Sequence, residues 1–187
     1  MGSDFVFDVS PFYFLRHGET RESQAGILQG QADTALSATG RKTAEDAGQR
    51  MIGHDLGSIY ASPLQRAWTT ASIVSVLTGA PRYPLPGLME RRWGIYEGRP
   101  KSERPRTPNP ESVETLEAFS ARVVAAMRSI SGPSPVLVIA HSGVFRVLCQ
   151  HFGFEMDMTT SISSADLVFL TPPKNGQTRW HINAVNG

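Results

Sequence analysis

Short apolar runs alternate along this chain with longer stretches in which apolar residues recur every three or four positions. "FYFLR" (12–16) is a compact aromatic and aliphatic run of strand length. After a polar loop, "LSATGRKTAEDAGQRMI" (36–52) sets Ala44, Ala47 and Met51 at helical spacing, with Ser37 suited to the N-cap. "SIYAS" (58–62) reads as a second strand. "PLQRAWTTASIVSVL" (63–77) then puts Pro63 at a helix start and Ala67, Ala71, Val74 and Leu77 on one face. Proline and glycine punctuate "RYPLPGLMERRWGIYEGRP" (82–100), an edge strand followed by loop, and "KSERPRTPNPES" (101–112) is a polar loop ending in a helix start.

An amphipathic helix follows over 113–130, its stripe of Phe119, Val123, Ala126 and Ile130 belonging to a core. "PVLVIA" (135–140) is the strongest strand, a continuous β-branched run of the kind buried on both faces of a parallel sheet. "SGVFRVLCQHF" (142–152) reads as a helix, and "ADLVFL" (165–170) and "TRWHINAV" (178–185) as a closing pair of strands. This alternation predicts an α/β fold of three layers, a mostly parallel central sheet with helices on both faces.

Composition narrows the picture. The 187 residues suit a single domain (1–187), and 40% hydrophobic with 19% charged residues is the balance of a globular protein. Eighteen basic against 17 acidic residues leave a formal charge of +1, which gives no bulk attraction to nucleic acid or to an anionic membrane. No run approaches the roughly 18 apolar residues of a membrane span. The N-terminal "FVF" lacks the basic flank of a signal peptide, so a cytoplasmic protein is expected. The single cysteine, Cys149, sits in an apolar pattern and reads as an inert buried thiol. No spacing suggests a metal site, and His54, His151 and His181 carry no motif.

The chemistry gathers at the strand ends. "FYFL" runs into Arg16 and His17, "SIYAS" leads to Arg66, and "PVLVIA" ends at His141. In a parallel sheet these carboxyl ends share one edge, where such folds bind ligands. Two arginines and two histidines converging without evident carboxylate partners call for an anion between them. A phosphate dianion fits, because guanidinium forks bind its oxygens bidentately and the helix starting at Ser142 would direct its first amides there. A neutral imidazole can attack phosphorus, and neighbouring cations hold it neutral near pH 7. The departing alkoxide then needs a proton, for which Glu90 and Glu97 are the candidate acids.

Five blocks in order carry a resemblance: "LRHGET", "LQGQADTALSATG", "ASPLQRAWTTA", "LMERRWGIYEG" and "VLVIAHSGVFRVL", covering about three quarters of the chain. Together they resemble the histidine phosphatase superfamily, which includes the cofactor-dependent phosphoglycerate mutases. The resemblance implies a phosphoglycerate mutase-like fold, His17 as the phosphorylated histidine, Arg16 and Arg66 as phosphate clamps, Glu90 as proton donor and His141 as the second histidine. It also implies substrate-binding positions at Ser23, Gln29 and Gly30, and at Arg91 for a substrate acid group. Three features depart from the family's pattern. Ser23 stands where asparagine is common, Ser142 stands where glycine is common, and only some 34 residues separate Glu97 from Gly132, fewer than in true mutases.

What this implies is a histidine acid-type phosphatase: a metal-independent phosphomonoester hydrolase without cofactor, acting on a small phosphorylated metabolite. A mutase is the alternative, and "ERRWG" resembles the mutases' arginine and aromatic at that place. A non-catalytic phospho-ligand binding module on the same fold is a third reading. Whether the chain forms a homo-oligomer stays open.

Overall fold

The computed structural model describes residues 6–105, 107, 109, 111–154, 162–173 and 179–185. Its strands are β1 (Phe12–Arg16), β2 (Ser58–Ala61), β3 (Arg82–Pro84), β4 (Val136–Ala140), β5 (Leu167–Thr171) and β6 (His181–Ala184). Its helices are α1 (Arg21–Gln24), α2 (Ala38–Arg50), α3 (Gln65–Thr78), α4 (Leu116–Arg128) and α5 (Ser142–His151). They form one six-stranded sheet in the order β3-β2-β4-β1-β5-β6. The four strands from β3 to β1 are mutually parallel, while β5 and β6 run antiparallel at the far side.

The unbroken apolar runs of β1 and β4 are explained by burial on both faces. Phe12 and Phe14 of β1, with Val136 and Val138 of β4, pack beneath α4 and α5 against Phe119, Val123 and Leu148. Their neighbours Leu15, Leu137 and Ile139 point the other way, into Ala47, Ala67, Ala71 and Val74 of α2 and α3. The period of two along a strand divides each run between the two helical layers. This is the three-layer α/β arrangement expected from the sequence. Truncating a fully buried leucine such as Leu137 to alanine would cost about 2–5 kcal/mol.

Ser37 caps α2 as expected, its hydroxyl accepting from the Gly40 amide. Other boundaries move for local reasons. Pro63 lies ahead of α3, whose N-cap is Leu64, and the Asp33 carboxylate accepts from the Gln65 amide at 2.6 Å instead. α4 starts at Leu116 after a Thr115 cap, releasing Val113 to pack with Leu28 and Trp93. The polar stretch after β1 holds the one-turn α1, closed by a capping box between Thr20 and Ser23. The long segment after β3 folds into three single 3₁₀ turns, Pro86–Leu88, Gly94–Tyr96 and Lys101–Glu103. Thr178, at the head of the last expected strand, lies outside the described residues.

Candidate active site

Strand register places the two histidines. β1 and β4 are parallel with Arg16 opposite Ala140, so the next residues, His17 and His141, leave the sheet side by side. The His17 amide donates to the Ala140 carbonyl at 3.0 Å, and the imidazole centroids lie 5.1 Å apart. On the other flank of β4, Ala61 pairs with Ile139, which brings Ser62 against His141. The Ser62 hydroxyl and His141 Nε2 are 2.8 Å apart. That hydroxyl already accepts the Leu64 amide, so its own proton is available to Nε2. In that tautomer His141 Nδ1 carries a proton, and this buried atom has no partner among the described residues.

His17 has a more certain tautomer. Its Nδ1 lies 2.7 Å from the Gly18 carbonyl, which can only accept, so Nδ1 is the protonated nitrogen. The lone pair is thereby assigned to Nε2. Burial, reinforced by Arg66 and Arg16, holds the His17 imidazole well below its ordinary pKa, and His141 is depressed by burial, Arg66 and His17. Both rings are neutral at pH 7. His17 therefore presents an unprotonated Nε2.

The arginines are held by backbone rather than by carboxylates. Arg66, 1% exposed at the start of α3, donates to the Gly30 and Ala32 carbonyls, both at 2.8 Å. Arg16 donates to the Ile162 carbonyl at 2.6 Å. Each retains a buried Nε with no partner among the described residues. Burial lowers both guanidinium pKa values, and the Glu90 charge partly restores them. Cations clustered this closely without an ion pair are stabilised by an incoming dianion.

Glu90 reaches this site from the loop after Pro86–Leu88. One carboxylate oxygen accepts the Arg91 amide at 2.8 Å and the other the Gly143 amide at 3.0 Å. Glu90 thus caps α5, and the Gly143 amide is directed at this carboxylate instead of at a phosphate. A β-carbon at Gly143 would push the same carboxylate out of this position. Sequence reasoning missed what holds the loop in place. Arg122 of α4 donates to the Gly87 and Met89 carbonyls, both at 2.9 Å, and pairs with Glu114 at 2.8 Å. The sequence signal was weak, since Arg122 is one of two arginines on α4, which also carries Glu117 and Ser120.

The cleft above these groups has a volume of about 580 Å³. Arg16, His17, Arg66, Glu90 and His141 line it together, and so do Gln29, Gly30 and Arg91. Two threonine hydroxyls, Thr20 and Thr34, donate to Gln29 Oε1, which leaves its NH₂ group as a donor. Ser23 does not line the cleft. Its hydroxyl donates to the Thr20 carbonyl at 2.8 Å and accepts the Thr20 amide, so it stabilises the turn instead. Glu97 is also structural: its Oε1 accepts the Gln31 and Trp93 amides and ties two cleft loops together. Cys149 is buried and its thiol is pushed up to about 12 by burial. His54 contacts the Tyr13 hydroxyl and His151 pairs with Asp8, both away from the cleft. Among the described residues no group of three or more His, Cys, Asp or Glu could hold a metal, and no helix is long and apolar enough to cross a membrane.

A parallel sheet carrying two neutral histidines, two buried arginines and a carboxylate at one strand-end cleft defines a phosphoryl-transfer type of site. Comparison with known proteins agrees. The histidine phosphatase superfamily (branch 1) matches residues 12–184, and the chain belongs to that family. It is 31% identical to the uncharacterized phosphatase PhoE of Bacillus subtilis over 141 residues, 72% of each chain. It is 30% identical to "Probable phosphatase C1687.21" of Schizosaccharomyces pombe, over 85% of this chain and 81% of that one. Among solved structures, Bacillus stearothermophilus YhfR superposes with a TM-score of 0.77 at 24% identity, covering 93% of this chain and 95% of that one. The chain is therefore an enzyme of the phosphatase and mutase type.

Proposed function

We propose that this protein is a metal-independent phosphomonoester hydrolase that acts on a small phosphorylated metabolite through a phosphohistidine at His17. The observation that carries this reading is the His17 imidazole, neutral by burial and locked by the Gly18 carbonyl so that Nε2 holds the lone pair. Nε2 attacks phosphorus in line, and the P–O bond to the alcohol breaks as the N–P bond forms. Positive charge develops on the ring, and the Gly18 carbonyl, accepting from Nδ1–H, stabilises it. Glu90 acts as the general acid and gives a proton to the departing oxygen. Arg16, Arg66 and His141 Nδ1–H bind the equatorial oxygens and supply the charge neutralisation that a metal provides in other phosphatases. In the second step Glu90 takes a proton from water, the hydroxide attacks phosphorus, and the N–P bond breaks to release phosphate and neutral His17.

The test is phosphate release from an aryl phosphate in the presence of EDTA, with trapping of an acid-labile, base-stable phosphoprotein. Complete dependence on added magnesium or zinc would exclude the metal-free reading. Loss of the label in His17→Ala is expected. A mutase is the second reading, supported by Arg91 stacked on Trp93 at 4.4 Å beside the cleft, a contact suited to a phosphoglycerate's acid group. Isomer interconversion of phosphoglycerates outrunning phosphate release, with the bisphosphorylated partner supplied, would favour it.

A further inference from the structure

The state of His17 depends on one acceptor, the Gly18 carbonyl, which belongs to the residue type with the freest backbone. A neutral imidazole carries its proton on either nitrogen, and the hydrogen bond made by one decides the state of the other. With the Gly18 carbonyl turned away from Nδ1, the proton is free to move to Nε2, which then carries a hydrogen where attack needs a lone pair. A stiffer residue cannot replace the glycine, because a β-carbon at Gly18 would run into the Gly40 carbonyl in the first turn of α2. The freedom that glycine brings has to be removed by its surroundings.

Both peptide planes that flank Gly18 are pinned. On the carboxyl side the Gly18–Glu19 peptide lies against Gly40, whose own β-carbon would collide with the Glu19 backbone, and the Glu19 carbonyl accepts the Ser37 amide at 2.9 Å. On the amino side the Gly18 amide donates to Thr70 Oγ1 at 3.2 Å. Thr70 reaches it from α3, one turn beyond Arg66, and its hydroxyl donates to the Arg66 carbonyl at 2.8 Å. That donation commits the hydroxyl proton, so Thr70 presents a lone pair to the Gly18 amide. Thr70 is fully buried and does not line the cleft. Its hydroxyl is spent wholly on holding Gly18 to α3.

We propose that Thr70 is a positioning residue for the reaction: its hydroxyl pins the Gly18 peptide, and the Gly18 carbonyl then holds the His17 proton on Nδ1 and leaves Nε2 its lone pair. The same hydroxyl ties the loop of His17 to the turn of α3 that carries Arg66, so attacking nitrogen and phosphate clamp keep one spacing. The proposal rests on His17 as nucleophile for its catalytic meaning, whereas the tautomer is a property of the free protein.

The test compares Thr70→Val, which removes the hydroxyl at similar size, with Thr70→Ser, which keeps it. Nitrogen-15 NMR of the ligand-free protein reads which ring nitrogen is protonated, with the His17 signals assigned by their loss in His17→Ala. A single Nδ1–H form is expected in the parent chain and in Thr70→Ser, and a mixture of both tautomers in Thr70→Val. Rapid-quench phosphorylation of His17 by an aryl phosphate should slow about tenfold or more in Thr70→Val, because small misplacements of a reacting atom are costly. Binding of inorganic phosphate should change less than about twofold, since the clamp itself is intact, and Thr70→Ser should recover the parent rate. Should Thr70→Val fail to fold, Thr70→Cys, whose sulfur is a weak acceptor, should show the same mixture with a smaller loss of rate. One Nδ1–H tautomer in the hydroxyl-free variant overturns the proposal, whatever its rate. An equal loss in Thr70→Ser does so too, because packing of the methyl group would then be the cause. A tautomer mixture in Thr70→Val without phosphorylation of His17 in the parent chain defeats the phosphohistidine reading and leaves Thr70's hold on His17 standing. Phosphorylation of the parent chain that is undiminished in Thr70→Val does the opposite.

Discussion

The floor of the cleft and its rim are built by different means. On the floor, Arg16, His17 and His141 leave the ends of β1 and β4, strands hydrogen-bonded to each other in fixed register and buried on both faces. At the rim, Arg91, Lys101 and Arg104 sit on loops and a single 3₁₀ turn, steadied by stacking on one indole rather than by a ladder. A group that must meet phosphorus in line within a few tenths of an ångström needs the rigid platform. Groups that recognise the remainder of a substrate by charge tolerate looser mounting, because Coulomb attraction falls off slowly with distance. The proposed function thus puts chemistry on the sheet and selectivity on the loops.

The sharpest test of this division is on the floor. His17→Ala should lower turnover by about 10⁴-fold or more on every ester, charged or neutral, because the other imidazole lining the cleft, His141, has its Nε2 engaged by the Ser62 hydroxyl. Rapid assays on aryl and alkyl phosphates check this, and a loss confined to one ester class would break the comparison.

Glu90→Gln should come next, with a graded effect. Proton transfer to an alkoxide contributes roughly 10²–10⁴-fold, about 3–5 kcal/mol of barrier, whereas nitrophenolate can leave unprotonated. Single-turnover rates should therefore fall far more on alkyl than on nitrophenyl phosphate. Equal losses would make Glu90 a positioning residue, since its two amide contacts would then be its whole contribution.

The buried histidines also leave a signature in stability. Folded His17 and His141 titrate well below 6.5, whereas in the unfolded chain they take up protons near that value. Below pH 6.5 the unfolded state binds more protons, so stability falls as pH falls through that value. Each histidine contributes a slope of up to about 1.4 kcal/mol per pH unit. Denaturant melts between pH 7 and 5 should show a shallower decline in His141→Asn than in the parent chain. Saturating phosphate should flatten the decline as well, by neutralising Arg16 and Arg66.

The smallest expected effect links floor to rim through Arg122. Arg122→Met leaves the Gly87 and Met89 carbonyls without their side-chain donor and removes the ion pair of Glu114, a loss of about 1–3 kcal/mol in stability. If Arg122 positions Glu90, kcat on alkyl phosphates should drop about tenfold with KM little changed, and nitrophenyl phosphate should be hydrolysed nearly as before. A uniform drop on both esters would show that the residue matters for folding alone.

Much of the architecture was open to reading from local pattern. β1, β4, α2 and α5 follow from apolar periodicity and one N-cap, because each is dictated by side chains within a few residues of one another. α1 and the three 3₁₀ turns were not legible. Their own hydrogen bonds are local, but the loops that carry them are held by distant partners, as where the Gly98 amide donates to the Leu28 carbonyl and the Leu28 amide to the Arg99 carbonyl. Ser23 shows the same limit within one motif, since position alone suggested a phosphate contact while the hydroxyl closes a turn.

By itself the sequence determined which groups would meet. The first four strands, joined through helices and loops, lie parallel and share one carboxyl edge, and Arg16, His17 and His141 stand where two of them stop. Only the tertiary structure decided the state and setting of those groups. The lone pair of His17 is assigned by the Gly18 carbonyl, and both imidazoles are neutral because the folded chain removes them from water beside two guanidinium groups. Glu90 is oriented by an amide 53 residues further along, and the cationic rim forms where the loop that carries Arg91, Lys101 and Arg104 meets Arg146 of α5 across one cleft. Desolvation and charge coupling depend on what surrounds a group in three dimensions, and no local pattern encodes them.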